Sequence, residues 1–358
     1  MRLERYVLGQ LVFAFFVTAA GILFIATPAM AVSAVHKLSG VGTLAVLSYL
    51  PLLLAGFVPY ATPVALLLAL VSTYGRLAAD REWTAIQMAG VSPWRMIGPA
   101  LVVASMVAAV AFMMNSEVLP RMKYEQKAYQ IRALRDAVRN LSPGRTELRF
   151  GEFYLTASSR RGDVFGDAYI QVPATEDSPA RNFLAGTVEF TFDDEQMHVS
   201  LSDVQHVQRD KENPFELSSE HAVLSIPFAS LVERKDPVWS GARYQSSSAL
   251  LSTIAAGELK PRDERHYRWE FHQRNAQAAS CLVFALLGAS TGLLLRKGTR
   301  MGALAVAVGY ALAYWLIALR LGKELAISGA LPAAVGGWAA VVLTGSAGLI
   351  LARKAFAR

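Results

Sequence analysis

Six long apolar segments divided by one polar block constrain this chain more than any other feature of its sequence. The segments lie near residues 11–35, 41–74, 95–119, 270–295, 301–321 and 326–352. A helix rises about 1.5 Å per residue, so each segment is long enough to cross the hydrocarbon core of a bilayer. A soluble fold does not bury six such segments. The sequence therefore predicts three transmembrane helices, a hydrophilic insert and three further transmembrane helices.

Composition excludes several other classes of protein. The formal net charge is +7, but the basic residues are spread along the flanks of the apolar segments instead of forming one stripe. That distribution does not indicate a nucleic-acid surface. Cys281 is the single cysteine, which excludes a disulfide framework and a cysteine metal site.

The basic residues near the apolar segments predict the orientation of the chain. With six spans, four groups of basic residues fall on one side, which the positive-inside rule assigns to the cytoplasm. We therefore expect a multi-pass membrane protein with both termini cytoplasmic and the insert outside, in a periplasm-like space. The residues are Arg2, Arg5, Arg76, Arg81, Arg95, Arg296, Lys297, Arg300, Arg353, Lys354 and Arg358.

The insert changes from a helical to a strand-like pattern. A polar helical stretch follows Pro120, alternation of apolar and polar residues begins near Leu148, and a polar linker near 246–268 returns to the fourth segment. Short alternating runs between turn residues are typical of a β-sandwich or jelly roll. The predicted fold class is thus a membrane α-helical protein, 3+3, with a periplasmic β-jelly-roll insert. Its predicted domains are residues 1–120, 121–268 and 269–358.

Motifs for catalysis are missing from the sequence. It contains no Walker A sequence, no HExxH and no GxSxG, and the spacing of its six histidines does not suit a metal site. We expect no catalytic residue, no metal and no cofactor in this chain. The sequence indicates a transporter component or a scaffold.

The loop between the second and third segments predicts a short helix near residues 78–90. Gly90 suits its C-terminal cap, and Ser92 with Pro93 suits the start of the next helix. Trp83 and Ile86 would form an apolar face and Glu82 would offer a carboxylate to a basic residue of a docked ATPase. The alternative is an ordinary interfacial helix with Trp83 at the level of the headgroups.

Several of these features together resemble a known family, the LptF/LptG permeases of lipopolysaccharide export. The resemblance extends over nearly the whole chain, and its most specific parts are the loop and the start of the fourth segment. The matching sequences are Arg5-Tyr6, GRL (75–77), DREWT (80–84), AGVS (89–92), NSEVLP (115–120), EFHQR (270–274) and FALLG (284–288).

The resemblance implies a subunit of an ABC-type exporter that serves outer-membrane biogenesis. A paralogous six-span subunit would complete a heterodimer, and a cytoplasmic ABC ATPase dimer would bind ATP and Mg²⁺. Lipopolysaccharide would be extracted from the inner membrane and passed to a periplasmic jelly-roll bridge protein. Glu82 matches the glutamate of the family's coupling helix, and we expect Arg76, Trp83 and Ile86 to take part in ATPase coupling.

Two further sets of residues are candidates for lipid binding. Lys37, Arg320 and Lys323 lie at the predicted outer ends of segments, where anionic phosphates would give them charge-assisted partners. Snorkelling to the interface is the alternative for each of them. Phe153, Phe190 and Phe192 are candidates for a lipid path through the jelly roll. Two other functions stay open: an ABC-type permease subunit for another envelope lipid or lipoprotein, and an envelope scaffold without transport.

Overall fold

A computed structural model describes residues 2–38, 42–139, 146–150, 153–161, 164–172, 181–193, 196–207, 216–227, 237–295 and 300–356. The helices are α1 Arg2–Lys37, α2 Thr43–Ala79, α3 Glu82–Met88, α4 Pro93–Met113, α5 Leu119–Arg139, α6 Pro237–Tyr244, α7 Ser247–Ala256, α8 Pro261–Leu294, α9 Arg300–Leu316, α10 Gly322–Ser328 and α11 Ala333–Phe356. The strands are β1 Thr146–Phe150, β2 Phe153–Arg161, β3 Val164–Val172, β4 Arg181–Phe192, β5 Gln196–Val207 and β6 Glu216–Pro227. π-helical turns at Met114–Val118 and Ile317–Leu321 join α4 to α5 and α9 to α10.

Six helical stretches are long and apolar enough to cross a membrane, which confirms the helical part of the predicted fold class. They are α1, α2, α4 with most of α5, α8, α9 with α10, and α11. Three precede the sheet and three follow it, as the apolar segments predict.

The chain divides into two compact units. Unit 1 contains Met1–Thr27, Leu54–Lys123 and Gly241–Arg358, and unit 2 contains Pro28–Leu53 and Tyr124–Ser240. The second half of unit 2 carries the sheet, whereas its first part comes from the end of α1 and the start of α2. The predicted limits at residues 120 and 268 do not include that contribution, because hydropathy treats each apolar segment as one piece.

Within unit 1, α8 packs closely against α2 through glycines. A Cβ on Gly292 would lie 2.7 Å from the backbone nitrogen of Gly75 and 2.8 Å from the carbonyl oxygen of Val71. One turn earlier, a Cβ on Gly288 would lie 2.9 Å from the Cβ of Leu70. Glycines four residues apart let membrane helices approach to backbone contact, and here they do so between the second and fourth spans.

The prolines of α2 do not end the helix, which continues from Thr43 to Ala79. Pro63 has no N–H, so the carbonyl oxygen of Pro59 loses its usual partner one turn later. Gln277 of α8 replaces that partner, since its Nε2 donates to the Pro59 oxygen at 2.9 Å. The orphaned carbonyl is therefore satisfied by a neighbouring helix, which is how membrane helices tolerate proline.

Unit 2 contains an antiparallel sheet in which neighbours in sequence are neighbours in space, with the order β1-β2-β3-β4-β5-β6. The antiparallel insert between two sets of spans is thus confirmed. A jelly roll has crossing connections between two sheets. The described strands instead form one meander, because short links join each strand to the next.

A row of residues without ladder pairing, here called the crease, contains one residue from each of the strands β2 to β6. Its residues are Ser158, Asp167, Gly186, Asp203 and Glu220. Asp167 and Asp203 have φ angles of 49° and 54°, a left-handed conformation that aspartate tolerates better than most residues. Within a strand, buried positions are normally two residues apart, but across the crease they are three apart. The pairs are Phe165 and Ala168, Ala185 and Val188, and Leu201 and Val204. The crease thus keeps the buried residues on both of its sides on one face of the sheet.

Candidate functional site

The loop between α2 and α4 contains a helix shorter than predicted. α2 continues to Ala79, and α3 begins at Glu82 because Arg81, with φ of 60°, interrupts the helical backbone. At the other end Gly90 has φ of 76°, which suits the predicted glycine stop. α4 then starts at Pro93 after the extended Ser92, as predicted.

Two of the apolar residues of α3, Trp83 and Ile86, face the core of this chain. Trp83 and Ile86 are 4% and 9% exposed. They belong to a hydrophobic cluster, here called the loop cluster, that joins residues from both ends of unit 1's sequence. Its members include Val7, Leu11, Tyr74, Leu77, Trp83, Ile86, Met96, Ile97 and Ala355.

The surface that α3 offers to a partner therefore differs from the expected one. Thr84 and Ala85 are exposed, and Met88 is 84% exposed. Trp83 and Ile86 fix the helix to its own subunit. Sequence spacing could not distinguish these directions, since a seven-residue helix can turn Trp83 and Ile86 either inward or toward a partner.

Polar contacts tie the loop to the first helix. Arg95 Nε donates to Glu4 Oε1 at 2.8 Å, and the hydroxyl of Tyr6 donates to Glu82 Oε1 at 3.4 Å. Glu82 is half-buried at the start of α3, and Arg76 is half-buried near the end of α2. The structure thus brings Glu82, Trp83 and Ile86 together with the start of α1.

Two further contacts at this end were not predicted. The hydroxyl of Tyr74 donates to the carbonyl oxygen of Met96 at 2.8 Å, which fixes α2 against the start of α4. The rings of Trp94 and Phe356 meet edge to face at 4.9 Å, so the end of α11 joins the same region. Pairs so distant in sequence leave no local signal.

The candidate phosphate ligands are divided between the units. Lys37 is exposed and belongs to unit 2, whereas Arg320 and Lys323 belong to unit 1. Arg320 is exposed in a π-helical turn. The Nζ of Lys323 lies 5.5 Å from the ring centroid of Trp269, a cation–π distance. Arg265 approaches the same end of unit 1, where its Nε donates to the Ile327 oxygen at 3.0 Å.

The candidate lipid path lies on the apolar face of the sheet. Phe153 is fully buried, and Phe190 is 7% exposed and meets Phe165 edge to face at 5.4 Å. Phe192 belongs to β4, but its side chain lies outside the described part of the chain. The hydrophobic cluster on this face, here called the sheet cluster, also contains residues of α1, α2 and α5: Ala34, Leu38, Tyr49, Leu53 and Ala133. An apolar ligand on this face would have to displace some of them.

A buried ion pair in α8 is held by contacts within its own chain. Arg274 is 4% exposed and lies 3.2 Å from Glu270. Its other guanidinium nitrogens donate to the carbonyl oxygens of Gln245 and Ala242 at 2.8 and 2.9 Å. The charged start of the fourth span therefore holds the linker after α6 to the membrane helix. Among the residues that the structure describes, no three His, Cys, Asp or Glu side chains could hold a metal ion together.

Comparison with known protein families gives a match over nearly the whole chain. The family model described as "Lipopolysaccharide export system permease LptF/LptG" matches residues 5–354, essentially the whole chain. No curated protein matches the chain.

Proposed function

Since the chain belongs to the LptF/LptG family of lipopolysaccharide export system permeases, we propose that it is one membrane subunit of an ABC-type exporter. Family membership makes it a permease component of the multi-pass inner-membrane class, and not an enzyme. It also indicates that the chain acts with other components of the export system. The family match over residues 5–354, together with α3 between the second and third spans, carries the proposal.

The orientation that we propose puts both termini in the cytoplasm and the sheet in the periplasm. Val7, Trp83 and Ala355 share the loop cluster, so the start of α1, the α3 loop and the end of α11 lie on one side of unit 1. These three segments are flanked by basic residues, which the positive-inside rule assigns to the cytoplasm.

Coupling to a separate ATPase would use α3. The exposed residues Thr84, Ala85 and Met88 would enter a groove on the ATPase, and Glu82 would accept a charge-assisted hydrogen bond from a basic residue there. Trp83 and Ile86 would hold α3 so firmly to its own subunit that its displacement moves the spans. ATP and Mg²⁺ would bind in the partner, which would supply the energy.

The cargo would be lipopolysaccharide, taken up between this chain and a paralogous six-span subunit and passed to a periplasmic bridge protein. Exposing acyl chains to water costs about 0.8 kcal/mol per CH₂, so a covered apolar route is needed. The face that carries Phe153 and Phe190 would provide it in the periplasm. Lys37, Arg320 and Lys323 would bind the phosphates, provided that the cation–π contact of Lys323 gives way to the stronger charge.

Release of lipopolysaccharide from proteoliposomes, measured with the complete complex and ATP, tests this function. We expect Glu82→Arg to insert normally but to lower ATP-dependent release by about tenfold or more, because two like charges would meet at the docking surface. Glu258→Arg is the control, since Glu258 is an exposed carboxylate in the loop between α7 and α8. Equal release from both variants would contradict the coupling role of Glu82. Release of lipoprotein but never of glycolipid by the wild type would indicate a different cargo.

A further inference from the structure

The first span is packed mainly toward its two ends, where Val12, Ala14 and Phe15 contact the loop cluster and Met30 contacts the sheet cluster. Among the side chains of α1 that the structure describes, only Val7, Leu11 and Ala34 are buried, and Leu38 is buried directly after the helix. From residue 12 to residue 33 every side chain is at least partly exposed. Pro28 lies where the two units divide, and α1 nevertheless runs from Arg2 to Lys37 without a break.

The two packed ends belong to different hydrophobic clusters. Val7 and Leu11 lie in the loop cluster with Trp83 and Ile86 of α3. Ala34 and Leu38 lie in the sheet cluster. A single helix therefore begins among the residues that hold α3 and ends among the residues that fill the apolar face of the sheet.

Two polar contacts strengthen the first of these ends. Glu4 pairs with Arg95 at the start of α4, and Tyr6 donates to Glu82 at the start of α3. Glu4, Tyr6, Glu82 and Arg95 are here called the latch. The latch joins α1 to both sides of the α3 loop, beside the buried Val7 and Leu11.

We propose that α1 transmits the displacement of α3 to the sheet and that Glu4, Tyr6 and Arg95 are positioning residues for this transmission. The inference rests on the proposed function, in which an ATPase moves α3. A helix that is held at both ends, with no buried side chain from residue 12 to residue 33, can pass on a displacement with little resistance. Rigid secondary-structure elements are one of the connections that carry coupling between distant sites.

If the Glu4–Arg95 pair served only to stabilise the fold, breaking it would lower the amount of folded complex. The side chains of Arg95 and Glu4 are, however, 65% and 34% exposed. Exposed ion pairs contribute little to stability. Breaking this pair should leave the amount of folded complex unchanged, so any loss of transport would reflect coupling.

The decisive quantity is lipopolysaccharide released per ATP hydrolysed, measured on the complete complex in proteoliposomes. We expect Glu4→Arg and Arg95→Glu each to lower this ratio about five- to tenfold while ATP hydrolysis continues. The double variant, which restores the pair with opposite polarity, should recover most of the ratio. Tyr6→Phe should have a smaller effect in the same direction. Glu125→Arg is the matched control, since Glu125 pairs with Arg132 at 3.6 Å with exposures of 59% and 65%, outside the latch.

Three results would overturn the proposal: an unchanged ratio in both single variants, no recovery in the double variant, or an equal fall in Glu125→Arg. Hydrogen exchange of residues 28–38 gives a second readout that needs no cargo. ATP should change their exchange in the wild-type complex and not in Glu4→Arg, and an equal response in both would overturn the latch. Wild-type complex that shows this response but releases no lipopolysaccharide would instead contradict the proposed function.

Discussion

The fourth and first spans, α8 and α1, are similar in length and opposite in packing. In their most apolar stretches, 72% of the residues of α8 are buried, compared with 6% for α1. α8 is surrounded by other helices of its own chain, whereas most of α1 presents apolar side chains outward, with Phe24 80% exposed. The difference indicates that α8 forms the centre of unit 1, whereas the middle of α1 is left to meet lipid or a second subunit.

The sequences of the two helices account for the contrast. α8 carries glycines that permit backbone contact, and polar side chains that satisfy buried groups of its neighbours: Gly288, Gly292, Arg274 and Gln277. α1 also contains glycines, but a Cβ on Gly9 or Gly21 would meet nothing within 4 Å. α8 has the lowest mean hydropathy of the six spans, which is expected of a helix that faces protein and not lipid.

The largest expected effect comes from adding a side chain to each helix at a glycine. Gly292→Leu would drive Cβ into the backbone of α2, which cannot move aside, and should destabilise the fold by about 3 kcal/mol or more. Gly21→Leu should leave stability unchanged or slightly raised, because leucine favours the helix more than glycine does. Thermal unfolding of the purified protein in detergent measures both. Equal melting temperatures for the two variants would remove the basis of the comparison.

Breaking an ion pair on each helix should give a contrast of similar size. Arg274→Ala leaves Glu270 charged without its buried partner and leaves two carbonyl oxygens unsatisfied, which should cost about 3–5 kcal/mol. Arg95→Ala removes the exposed partner of Glu4 and should not change stability measurably. The same unfolding experiment compares them. If Arg95→Ala proves as damaging as Arg274→Ala, α1 is held far more tightly than its burial implies.

A smaller effect tests whether the hydrogen bond from Gln277 of α8 to the Pro59 carbonyl oxygen stabilises α2. Gln277→Leu should cost about 1 kcal/mol, since it leaves the Pro59 oxygen without a donor. Pro63→Ala returns the missing N–H, so in that background Gln277→Leu should cost much less. A double-mutant cycle on unfolding free energies measures this coupling. Additive losses of unfolding free energy would show that Gln277 does not compensate for the N–H that is missing at Pro63.

Hydropathy and motif spacing were sufficient for the six spans, the antiparallel insert and the family. They were also sufficient for a helix around Glu82, because Gly90 and Ser92-Pro93 are local signals. They could not give the direction of Trp83 and Ile86, since that depends on which neighbours cover α3.

Contacts between residues that are distant in sequence could not be predicted either, because they leave no local pattern. Gln277 and Pro59 are 218 positions apart, and the crease at Asp167 and Asp203 becomes apparent only once strand pairing is known. The fillers of the sheet's apolar face, Tyr49 and Leu53, belong to an apolar segment that hydropathy assigns wholly to the membrane.

The central claim is that this chain is one subunit of an ATP-driven lipopolysaccharide exporter. Affinity purification from native membranes in mild detergent, followed by mass spectrometry, tests it most directly. The account predicts recovery of a second six-span protein of similar layout together with an ATPase that carries a Walker A sequence. Recovery of the intact, folded chain with neither partner would contradict it and would favour an envelope scaffold.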